Sequence, residues 1–77
     1  MNKLRRKNLE KLIESIEEIR ADLETICEEE EEARDNIPES MQESEKYERA
    51  DEACENLNSA IECFEELVDY IQSAIDA

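Results

Sequence analysis

A chain of 77 residues makes one small domain and buries little core by itself; chains of this size are often completed by disulfides, a metal or a partner subunit. It contains no His, no Gly and no Trp, and one Pro. That removes the usual neutral-pH general base, the commonest metal ligand and the glycine loop that cradles phosphate. With 24 acids against 9 bases the net charge is −15, so the composition argues against an enzyme and against a resident metal or cofactor.

No apolar run approaches the ~18–20 residues of a membrane span. The start, MNKLRRK, has the basic character of a signal peptide, but acids interrupt every apolar pair of the following NLEKLIESIEEI, so no hydrophobic region forms. Cys27, Cys54 and Cys63 are an odd set without CxxC spacing, which points to reduced thiols. The expectation is a cytoplasmic protein without membrane contact.

The single domain, 1–77, divides into two periodic segments around one punctuated stretch. Leu9, Leu12, Ile16, Ile19, Leu23, Ile26, Glu30, Ala33 and Ile37 follow 3-4 spacing. So do Tyr47, Ala50, Cys54, Leu57, Ile61, Phe64, Val68, Ile71 and Ile75. This heptad pattern predicts two long helices packed side by side, about 3–35 and about 40–75. Between them, at about 36–39, Asn36 suits a left-handed cap and Pro38 stops the first helix. Ser40 with Glu43 forms a capping box for the second. The fold class is all-α: an antiparallel two-helix hairpin, a coiled coil that self-associates into a helical bundle.

A turn centred near Ser40 pairs Ala33 with Tyr47, Ile26 with Cys54, Leu23 with Leu57, Ile19 with Ile61, Ile16 with Phe64, Leu12 with Val68 and Leu9 with Ile71. On one side of this seam Ile13, Arg20 and Cys27 face Leu67, Ala60 and Ala53, with Ala74 beyond. On the other, Asn8, Ser15, Asp22 and Glu29 face Gln72, Glu65, Asn58 and Asp51. The first side is apolar and small. Ile13, Cys27, Ala53, Ala60, Leu67 and Ala74 are therefore the expected self-association face, in a homo-oligomer for which a dimeric four-helix bundle is the first choice.

Charge is segregated along the chain. Residues 1–11 hold Lys3, Arg5, Arg6, Lys7 and Lys11 against Glu10, while acids dominate the rest. Glu28, Glu29, Glu31, Glu32, Asp35 and Glu39 gather at the expected tip. Their plainest role is a solvated face; their functional one is an anionic surface that occupies a basic groove in place of DNA phosphates. The acidic shaft would repel nucleic acid itself. Arg5, Arg6 and Lys7 offer an alternative site for a small anion, such as a signalling nucleotide held by an oligomer. Cys27 and Cys54 fall near one another and read as small buried residues, Cys63 as an exposed thiol.

The basic start MNKLRRKNLEKLIESIEEI, the acidic run EEEEEARDNIPESMQESEKYE and the Ala-spaced EACENLNSAIECFEELVDYIQSAI resemble small acidic proteins of Firmicutes phages, prophages and conjugative elements. The turn, residues 34 to 45, carries the most specific part of the likeness. The resemblance implies a mobile-element origin and an intracellular life in a bacterial host, and transfers no catalytic residue. The expected function is non-enzymatic: an inhibitor of a basic host protein, such as a defence factor, by DNA mimicry. The alternatives are the nucleotide sponge and a purely structural coiled-coil module.

Overall fold

A computed structural model describes residues 1–77. The first helix, α1 (Lys3–Asp35), begins at Asn2, whose extended backbone and side-chain oxygen take up a free amide of the first turn: Oδ1 accepts from the Arg5 N–H at 2.8 Å. No Gly or Pro interrupts its 33 residues, most of which are strong helix formers. The second helix, α2 (Glu45–Asp76), returns antiparallel along it. The fold is all-helical, the expected hairpin, drawn out into a rod 59 × 16 × 12 Å.

The connection differs from the expected one. Asn36 stays right-handed at φ −81°, ψ −7°, and no residue of the chain has positive φ. The helix closes by tightening instead: the Asn36 N–H reaches Glu32 O, and the Ile37 N–H reaches Arg34 O at 3.1 Å. Pro38 then prevents continuation. Glu39–Met41 forms one 3₁₀ turn, and α2 starts at Glu45 rather than near 40. Ser44 is its cap, accepting from the Tyr47 N–H and donating to Met41 O. The Ser40–Glu43 capping box does not form. The longer connection lets Ile37 fold back and become buried at the tip.

Along α2 every residue of the expected seam, from Tyr47 through Ile75, is at least partly covered. Along α1 and into the connection only alternate members are. Leu9, Ile16, Leu23, Glu30 and Ile37 are covered, but Leu12, Ile19 and Ile26 are 53%, 56% and 53% exposed. Their places are taken by Arg6, Ile13, Arg20, Cys27 and Arg34, each covered to some degree. The first helix is thus rotated about its own axis by one heptad column, and the expected pairing corrects accordingly. The Ile13–Arg20–Cys27 column, with Arg34, faces the Asp51–Asn58–Glu65 column of α2, not Ala53, Ala60 and Leu67.

The physical reason is that α1 carries three apolar columns and a two-helix contact covers about two. The rotation gives Arg20 and Arg34 carboxylate partners and leaves Leu12, Ile19 and Ile26 outside. Only Cys27, Ile37, Cys54 and Ile75 are buried, a thin core for the chain length.

Candidate interaction surfaces

The two long edges of the rod differ. One is a polar ladder. Arg20 donates from Nε to Glu24 Oε1 at 3.0 Å and from Nη2 to Glu65 Oε1 at 2.8 Å. Arg34 donates from Nε to Asp35 Oδ1 at 3.1 Å and from Nη1 to Asp51 Oδ1 at 3.0 Å. These hydrogen-bonded carboxylates, Glu24 first for Arg20 and Asp35 first for Arg34, raise both guanidinium pKa values further above their usual range. Between the two arginines the Cys27 thiol lies 3.5 Å from Glu31 Oε1, and Asn58 Nδ2 donates to the same oxygen at 3.3 Å. Burial, then this carboxylate, pushes the Cys27 thiol up. Burial likewise raises Cys54, which is 1% exposed. Arg20 and Arg34 were not among the expected site residues, although they repeat at heptad spacing with Ile13 and Cys27 and had acids available at heptad spacing on α2.

The expected acidic tip divides in two. Asp35 is engaged by Arg34, and Glu31 is half-buried, held by Cys27 and Asn58. Glu28, Glu29, Glu32 and Glu39 are exposed and take part in no ion pair. Across the chain only Glu24, Glu65, Asp35, Asp51 and Glu45 are paired, which leaves nineteen of the 24 carboxylates without a cation. The cations are as segregated as the acids: Lys3, Arg5, Arg6, Lys7 and Lys11 form no ion pair either. Arg6 is turned inward, donating to Ile75 O and Ala77 O at the end of α2. Arg5, Arg6 and Lys7 therefore do not converge into one anion site within the chain.

The expected self-association residues also separate. Cys27 is 3% exposed within the hairpin and offers no surface to a second molecule, and Ile13 is partly covered in the seam. Ala53, Ala60 and Ala74 are partly covered, and Leu67 is exposed. They border the edge opposite the polar ladder, where Leu12, Ile19 and Ile26 now stand. That edge runs through Ala33 into a groove of about 760 Å³ at the tip, lined in part by Ile37, Met41, Lys46 and Ala50.

No three His, Cys, Asp or Glu side chains come together where they could hold a metal ion, and no helix is long and apolar enough to cross a membrane. Comparison with family models, curated proteins and solved structures finds no significant match to this chain.

Proposed function

We propose that this protein acts as a non-enzymatic binding module, a self-associating acidic rod that occupies a basic surface on another protein. The carrying observation is the nineteen unpaired carboxylates on a stiff helical frame. Ordering flexible side chains and compacting like charges both oppose binding, and a preformed rod has met much of that cost on folding. Glu28, Glu32 and Glu39, exposed and unpaired at the tip, are the first contacts, with the flanks of α2 extending the anionic surface. A groove evolved for the DNA backbone is the class of surface that such a charge density fits. The likeness of the sequence to mobile-element proteins supplies the setting, in which the target is a host protein such as a defence nuclease and binding blocks it.

The test is capture from a bacterial lysate at low salt, elution with a salt step, and competition of the recovered pair with duplex DNA. A basic protein that elutes with salt and is displaced by DNA supports the reading. Empty eluates across hosts would leave a structural coiled-coil module.

A further inference from the structure

Three features that the hairpin does not use lie along one edge. The first is the column Arg5, Leu12, Ile19, Ile26 and Ala33, repeated every seven residues, of which the three large members are more than half exposed. The second is charge: Arg5 and Lys11 near one end of α1 and Glu29 and Glu30 near the other have no ion-pair partner within the chain. The third is the tip groove, into which the column runs through Ala33, while Met1 and Leu4 at the opposite end are 51% and 66% exposed with nothing to cover them.

We infer that this edge is closed by a second copy of the chain, packed antiparallel along α1 with Ile19 on the two-fold axis. The arrangement rests on the self-association reading above and makes it specific. In that register Leu12 lies against Ile26 of the second copy, and Arg5 lies over its Ala33. Glu29 and Glu30 stand one helical turn before Ala33, so the guanidinium of Arg5 enters between small and acidic side chains. Lys11 comes level with the same turn and reaches Glu29. Leu4 and Met1 arrive at the tip groove of the second copy, whose apolar wall of Ile37 and Met41 receives them. On α2 the same axis sets Leu67 of one copy near Ala60 of the other, large against small. Each contact occurs twice, as a two-fold requires.

The parallel alternative stacks the acid runs on each other and the basic starts on each other. The antiparallel one neutralises both. It also leaves Glu28, Glu31 and Asp35 on the outward side, away from the contact. The surface area agrees. The chain exposes 5991 Å², whereas a compact monomer of 9.0 kDa is expected to expose about 4,900 Å². The excess, roughly 1,100 Å², is of the size one partner contributes to a stable interface.

The experiment is sedimentation of the full chain at tens of micromolar, with zero-length carbodiimide cross-linking and a charge swap. A dimer is expected, with a Lys11–Glu29 cross-link. Those residues are about 27 Å apart along one helix, so the link forms only between chains. Arg5→Glu should weaken the dimer about tenfold through its two symmetric sites, and Arg5→Glu with Glu29→Arg should restore it. Ile19→Asp should abolish it; because that variant could also disturb the hairpin, the swap is the deciding pair. A monomer at every concentration would overturn both this arrangement and the self-association reading. A dimer that gives no Lys11–Glu29 link and ignores Arg5→Glu would overturn this arrangement alone.

Discussion

Arg6, in the second turn of α1, donates its Nε–H to the backbone carbonyl of Ile75 at 3.1 Å, and its Nη2 reaches Ala77 O at 3.2 Å. The last turn of α2 has no basic residue of its own, and its final carbonyls have no helical donors. A cation from the other helix therefore caps it and complements its dipole. The contact ties chain positions 6 and 75 at the open end of the rod, where fraying of two long helices would begin.

Replacing Arg6 with Ala should cost about 1 kcal/mol of stability, the usual worth of a hydrogen-bonded contact of this kind. The loss should be concentrated in faster amide exchange over the last two turns of α2. Arg6→Lys should recover only part, since an ammonium cannot present the two-pronged guanidinium fork. Uniform exchange along α2 in Arg6→Ala would show that the contact is not a clamp.

The second prediction separates two serines. Ser44 caps α2, whereas Ser40 sits exposed at the 3₁₀ turn. Ser44→Ala should cost about 1 kcal/mol and Ser40→Ala no more than a few tenths, measured by urea denaturation. The reverse order would restore the capping box that the sequence alone suggests.

That pair of serines shows where the sequence is legible and where it is not. Both have cap chemistry, and the choice between them turns on Ile37, which gains burial only if the connection is long enough to fold it back under the tip. The seam of α2 reads directly because acids and amides flank its Ile, Leu and Phe positions on one side and alanines on the other. The first helix is ambiguous in one dimension: Leu12, Ile19 and Ile26 make as good a seam column as Ile13, Arg20 and Cys27. What decides between them is whether Arg20 and Arg34 can reach Glu65 and Asp51, a relation between chain positions far apart. The same ambiguity put Ile13 and Cys27, two of the six expected association residues, into the seam of the hairpin. The acid run at the tip was visible as composition, but the capture of Asp35 by Arg34 and of Glu31 by Asn58 was not.

Thiol chemistry gives the third prediction. Cys63 is exposed and should react with a disulfide reagent rapidly in the folded protein, while Cys27 and Cys54 should react only as the chain opens. Burial raises both buried thiols above the ordinary value of 9.0. Their pH linkage has a definite sign. Below about pH 9 neither state ionises and the contribution of the buried thiols is fully present. Above it the unfolded chain releases protons first, so stability falls as pH climbs through the higher folded values. Replacing Cys27 and Cys54 by Ala should flatten that alkaline slope. A slope unchanged in the double variant would contradict the burial pattern.

The last prediction concerns salt, where fold and binding should respond with opposite signs. Within the hairpin five ion pairs favour the fold and nineteen unpaired carboxylates oppose it by mutual repulsion. Exposed pairs contribute little each, whereas the repulsion is summed over the whole rod. Screening should therefore help more than it harms: raising NaCl from about 20 mM to about 500 mM shortens the Debye length from roughly 20 Å to under 5 Å and should raise the thermal midpoint. Binding to a basic partner should weaken over the same range, because the carboxylates that repel one another inside the rod are those that attract the partner. Circular-dichroism melts and affinity measurements on one salt series would compare the two directly. A melting point that falls with salt would mean that the Arg20 and Arg34 ladder outweighs the repulsion. A binding constant indifferent to salt would place the contact on the apolar edge of Leu12, Ile19 and Ile26 rather than on the acidic surface.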